Sequence, residues 1–423
     1  MIETDLKRAA SGVPDVAPGV PSVAPGGLGE LFLLIALAFM LPLFEAPKNI
    51  IGTLFFVVWF VNRVRAKDFG GPWGAWDSLI AASLAASVLA TAFAGLKGGE
   101  WVGLRDVVRT LLLLWCAMRG GYSQAQWKRI LGALVAGTIL AICGGAWKLY
   151  TTNMQGLELH SVGHSNHSAS YLCIVFGLAL AYLAAYWRSL AARDKWLISM
   201  VVIVCGIAIV ATASRVAVVC MALVALLIGA MHVRQSWKPL FFAAGMIGVA
   251  SLLLTAVDPW VLRKHVRNLN DDNVLAYRDQ IWERATTAWR AYPVFGIGMD
   301  NFSRITTERY RSWTEAQGRV FDPARVYTSS HAHSLYFDTL AERGIVGLAA
   351  LMIFLAAWAM SLWRRRPRSD EWDPFGMTVW GAAAAALFVM MFIGLVNTTL
   401  HNEQFAASML CLGGWLAWCR RPR

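Results

Sequence analysis

The sequence predicts an all-α, polytopic integral membrane protein with about twelve transmembrane helices and one large, partly helical outer loop. Three observations carry that expectation. The 423 residues are 57% hydrophobic and only 15% charged, too few polar side chains to cover soluble domains. The apolar residues fall in runs that cross or nearly cross a hydrocarbon core of about 30 Å. The connections between runs alternate between basic and nearly charge-free, the pattern left by the positive-inside rule. Twenty Trp and ten Tyr suit aromatic belts at the two interfaces.

Residues 1–28 hold Lys7 and Arg8 among Pro, Gly, Val and Asp, without the apolar stretch of a secretory signal. They read as a flexible cytoplasmic tail. Residues 29–256 carry the first nine spans, at 29–45, 49–62, 75–95, 105–118, 125–150, 169–187, 196–213, 216–231 and 239–256. Residues 257–333 form the outer loop. Residues 334–423 carry the last three spans, at 334–362, 375–396 and 404–419, with a short cytoplasmic C terminus. Arg63, Arg65 and Lys67, then Arg119, Lys128 and Arg129, then Arg188, Arg193 and Lys195, mark connections on one side. Arg234 and Lys238, Arg364 to Arg368, and Arg420 onward continue the series. These belong inside the cell together with both termini, which puts Asp258–His333 outside. The net charge of +12 is then largely topology, and no nucleic-acid partner is expected. All seven cysteines lie inside or at the ends of apolar runs, so the loop should carry no disulfide.

One boundary follows from arithmetic. From Leu197 to Met231 the only charge is Arg215, and a single helix of that length would run about 52 Å, far beyond the hydrocarbon core. Basic connections flank both ends, so two short spans meet at Ser214-Arg215 and place the arginine at the outer surface. There it either snorkels from a helix end or offers a fixed fork of donors to a phosphate.

Within the loop, Tyr277 to Tyr292 has helical periodicity, with Tyr277, Ile281, Ala288 and Tyr292 on one side beside Trp282, Ala285 and Trp289. Such an amphipathic helix is expected to lie in the interface plane, closed by Pro293-Val294-Phe295-Gly296-Ile297-Gly298. From Asp258 to Arg343 the chain has 12 basic and 11 acidic residues, so ordinary solvated arginines explain much of it. Arg278 stands apart because it begins the helix in the stripe with Trp282.

Ser329-Ser330-His331-Ala332-His333 opens the tenth span, and the face of His333 runs on through Phe337, Leu340, Gly344 and Gly347. Its glycines are expected to admit another helix. An imidazole near a helix N-terminus favours its neutral form, as a general base requires; a capping or interfacial histidine is the plainer reading. A second cluster, His164, Asn166 and His167, precedes the sixth span at the same end. Two histidines without a carboxylate make a weak metal site, so capping and substrate-lining roles fit them better. Asp271-Asp272 can hold a divalent ion but sits in plain turn composition. No metal site and no cofactor are expected.

These residues resemble the O-antigen ligase family. His333-Ser334, nine residues, then Gly344-Ile345-Val346-Gly347 is similar to the family's His-[Asn/Ser/Gln]-x9-Gly-x-x-Gly pattern. Ser214-Arg215 after a span, Arg278 with Trp282, and Pro293-x-x-Gly296-x-Gly298 add to it, over roughly 170–400. His331, followed by Ala332, does not fit the pattern. The resemblance implies a GT-C-like glycosyltransferase, multi-pass in the bacterial inner membrane, with its active site on the periplasmic face. It implies an undecaprenyl-diphosphate-linked O-polysaccharide as donor, a sugar hydroxyl of lipid A–core as acceptor, and inversion at the anomeric carbon. Membrane lipids are the remaining partners. The catalytic candidates are His333 as base, with Arg215 and Arg278 on the diphosphate. His331, His164, Asn166 and Trp282 are candidates to line the substrates.

Rival readings stay open. O-antigen polymerases and protein O-oligosaccharyltransferases share the arginine and loop features; the latter usually continue well past the last span, whereas few residues follow Cys419 here. From another class, a transporter or flippase would also be polytopic. Transporters carry charges or broken helices at mid-membrane; here Arg215 and the histidines gather at one end, with Lys148 and Asn397 as weak exceptions.

Overall fold

The structure, a computed structural model, describes residues 27–152, 154–232, 277–366, 373–400 and 402–420, with a few positions between 244 and 248. The tail, the expected ninth span at 239–256 and the first part of the loop, with Asp271-Asp272, lie outside the described residues. Among the described residues the fold is all helical apart from one isolated bridge between Leu159 and Gly163. Among the described residues eight helices precede the loop: α1 (Leu28–Met40), α2 (Glu45–Ala66), α3 (Ala75–Ala92), α4 (Glu100–Arg119), α5 (Gln124–Thr151), α6 (Ser165–Tyr186), α7 (Ala192–Ala211) and α8 (Arg215–His232). The loop holds α9 (Arg278–Ala291) and α10 (Thr307–Ala316), and α11 (Leu335–Arg364), α12 (Pro374–Ile393) and α13 (Asn402–Cys419) follow. Among these, α2, α3, α5, α6, α7, α11 and α12 are long and apolar enough to cross a membrane. Within the described residues, a helix occupies each apolar segment read from the sequence.

Helix α6 is the hub. It is apolar all round and almost wholly buried, as a helix surrounded by other helices must be. It packs on α12, α7 and α8. Small residues permit the closest of these approaches: a Cβ at Gly381 would lie 2.7 Å from Ala181, and the run Ala382–Ala386 presents almost no side-chain bulk.

At the end away from the loop, buried ion pairs tie the helix ends. Arg63 bonds Glu30 at 3.1 Å, and the Tyr122 hydroxyl donates to the same carboxylate at 2.6 Å. Asp77 takes Arg119 at 3.2 Å, Arg420 at 3.0 Å and the Trp115 indole at 2.8 Å. Buried charges survive only when paired in this way. Arg63, Arg119 and Arg420, three of the arginines that marked one side of the chain by their spacing, thus gather at one end of the bundle, and the described part of the polar loop closes the other.

Candidate functional site

The α7–α8 hairpin fixes the first candidate. Thr212 ends α7 with its hydroxyl donating to Ile209 at 2.7 Å, Ala213 takes a left-handed φ of 56°, and Arg215 begins α8. The turn is therefore only the three residues Thr212 to Ser214, and the loop before α6 docks on it through Leu157 N–H to Ala211 at 2.9 Å. At the start of α6, His164 caps the helix: its Nδ1 accepts the Asn166 N–H at 3.2 Å, which places any ring proton on Nε2. Asn166 takes part through its backbone.

Helix α9 brings in the second arginine. Tyr277 turns the chain at φ 61° and stacks on Tyr327 at 4.9 Å. Arg278 then donates from Nε to the Val396 carbonyl at 3.1 Å, between α12 and α13. The apolar side of α9 does not rest in an interface plane. Ile281, Ala285 and Ala288 are buried with Phe302, Ile305 and Tyr310 in a small core built mainly by the loop and closed by Leu96 and Ala341, because α10 and the segment before it supply apolar partners within reach. Trp282 stacks on Phe337 of α11 at 5.2 Å, clamping α9 to that helix. Arg284, one of the arginines expected in solvent, is 3% exposed and donates to the Ile305 carbonyl.

The histidine segment differs from the expected one. Helix α11 begins at Leu335 with Ser334 as its cap, so His333 precedes the helix, with a left-handed φ of 46°. Such backbone costs about 1–3 kcal/mol and clusters at functional sites. Asp338, a residue the sequence reading passed over, accepts the Ala332 N–H at 2.9 Å and so holds the strained segment. Burial pushes the His333 imidazole down to about 4, helped by Arg278, His331 and His164 and opposed by Asp338. The guanidinium of Arg278 is itself lowered, by burial and then by Arg215. Among the described residues, then, the candidates His333, Arg278, Arg215, His331 and His164 lie within electrostatic reach along one chain of neighbours. Trp282 supports them by stacking.

The glycines act on backbone, not on another helix. Gly344 interrupts α11 at φ 61° and ψ −162°, so the face that starts near His333 does not continue to Gly347. A side chain at Gly344 would strike Val294 and Phe295, and one at Gly296 would meet Arg343 and Ala341 at 2.5 and 2.6 Å. Across that contact Ile297 and Gly298 donate to Ala341 and Glu342 at 2.9 and 2.8 Å, and Ile345 donates to Pro293 at 2.9 Å. Gly95 and Leu96 donate to Gly296 and Ile297 from the other side, both at 3.0 Å. The two glycine motifs are the two halves of one backbone crossing. It holds the loop against α11 and the α3–α4 turn.

Beside His331 opens a cavity of about 290 Å³ between the loop and α1, α2, α4, α11 and α13. No local motif announces it, because its walls come from six separate elements. Among the described residues no three His, Cys, Asp or Glu gather as metal ligands.

Residues 200–352 match the family described as O-antigen ligase, the family whose motifs the sequence resembles. The matched stretch holds the α7–α8 hairpin, α9, the crossing glycines and His333. No curated protein matched the chain.

Proposed function

With that match as premise, we propose that the chain is an inverting glycosyltransferase of the ligase type. It moves O-polysaccharide from undecaprenyl diphosphate to a sugar hydroxyl of lipid A–core at the periplasmic face of the inner membrane. The observation that carries this reading is a half-buried, strained His333 beside Arg278, which in turn neighbours Arg215, at the seam between loop and bundle. The acceptor oxygen attacks the anomeric carbon and forms the new C–O bond as the bond to the diphosphate breaks. The hydroxyl proton passes to His333 and later to water, and undecaprenyl diphosphate departs with its charge held by Arg215 and Arg278. Fixed guanidinium groups in a water-poor site serve this developing charge well, so the step runs without a metal. No carboxylate occupies a nucleophile's place among these candidates, which favours direct transfer over a glycosyl-enzyme.

The polymerase reading uses the same donor, and the arginines suit it equally. A loss-of-function mutant in cells separates the two. Ligase loss leaves long chains on the lipid carrier, whereas polymerase loss leaves single repeats on lipid A–core and overturns the proposal.

A further inference from the structure

The catalytic seam has two sides, and only one is suited to an anion. Along the segment joining α12 to α13, the Val396 carbonyl meets Arg278, while Thr398, two residues on, lines the cavity. The histidine segment divides the same way: His333 feels Arg278, whereas His331 lines the cavity. Besides the deeply buried Glu342, five carboxylates line the cavity against three cations, Lys48, Arg109 and Arg343. Two of those cations are already engaged, Lys48 with Glu45 at 2.6 Å and with Glu403, and Arg109 with Asn49 at 2.5 Å. A diphosphate would be repelled there. The cavity is not apolar either, although Phe56 and Met299 supply flat apolar wall.

Two lining side chains ask for a partner. Thr398 is 5% exposed and Glu403 4%, yet the Thr398 Oγ1 and the Glu403 Oε2 find no hydrogen-bond partner among the described residues. Buried polar atoms are normally paired. An uncharged, hydroxyl-rich ligand satisfies such a lining, giving its hydroxyl protons to carboxylates and its C–H faces to Phe56 and Met299.

We infer that the cavity beside His331, lined by Asp106, Arg109, Thr398 and Glu403, binds the terminal saccharide of the acceptor and presents its hydroxyl to His333. This rests on the ligase reading, in which a second sugar must reach the base from the side that the diphosphate does not occupy.

The test uses the purified full-length chain in liposomes with lipid-linked polysaccharide and lipid A–core, together with direct binding of a lipid-free core oligosaccharide. Asp106→Asn and Arg109→Gln alter exposed or half-exposed side chains, and Ala406→Trp fills the cavity. Each should raise the acceptor KM about tenfold or more, the effect of losing hydrogen bonds to charged groups. The donor KM and kcat should stay within about twofold. Ala406→Trp should also abolish oligosaccharide binding. Retained donor binding shows that a variant is folded. An unchanged acceptor KM in all three variants overturns the inference, as does a rise in the donor KM instead. Oligosaccharide binding that Ala406→Trp abolishes, in a wild-type chain that transfers nothing, keeps the saccharide site and removes the ligase reading.

Discussion

In the proposed reaction the chemistry turns on the His333 imidazole, and its environment sets a pH signature. The proposed transfer needs the unprotonated ring, and burial with Arg278 holds the folded value down at about 4. Protonation therefore begins to remove the base only as pH falls toward that value. Activity is expected to stay flat from pH 8 down to about 5 and to decline along a limb near pH 4, not near the ordinary 6.5 of histidine. Arg278→Gln removes a positive neighbour, so the ring gains its proton more readily and the limb moves up in pH. Asp338→Asn removes the opposing negative charge while its amide oxygen can still accept the Ala332 N–H, so the limb moves down. A pH–rate profile of wild type and both variants at saturating donor checks the two signs together. These side chains were visible in the sequence as His333 and Arg278, but Asp338 was not: a carboxylate in the first turn of a helix looks like any cap.

At the scale of elements, the crossing of the 293–298 segment over Gly344 is what brings α9, and with it Arg278, to α11. Gly344→Ala and Gly296→Ala each force a side chain into opposing backbone at a positive φ. Strain of that kind alone costs about 1–3 kcal/mol, so both variants should melt several degrees lower in detergent and lose activity. Gly132→Ala and Gly144→Ala, in α5 with open space around each, should melt at the wild-type temperature or slightly above, because alanine stiffens an exposed helix. Equal melting of all four variants would contradict the crossing. The helices themselves were legible because apolar length and basic punctuation are local signals; the hairpin at Ser214-Arg215 fell out of length arithmetic together with the basic connections at both ends. The role of the glycines was not, since spacing along one helix says nothing about a break at Gly344 or about which backbone crosses it. Nor does periodicity reveal that the buried side of α9 meets the loop's own Phe302 and Tyr310 in place of lipid.

For the whole molecule, the loop end and the arginine-paired end should lie on opposite sides of the membrane. Val320→Cys, at a fully solvated position of the loop, should react with an impermeant maleimide in cells whose outer membrane is permeabilised. Ser189→Cys, exposed between α6 and α7, should react only after the inner membrane is opened. The reverse pattern would move the seam to the wrong side for a periplasmic reaction. The cavity beside His331 belongs to this scale too, and no single stretch of sequence could disclose it, because the fold alone assembles Asp106 from α4, Thr398 from the α12–α13 joint and His331 from the loop. The most direct measurement is transfer by purified wild type and His333→Ala in liposomes containing lipid-linked polysaccharide and lipid A–core. His333→Ala is expected to bind donor normally while its rate of polysaccharide transfer falls by about 10²–10⁴-fold; near-normal transfer by that variant would contradict His333 as the base.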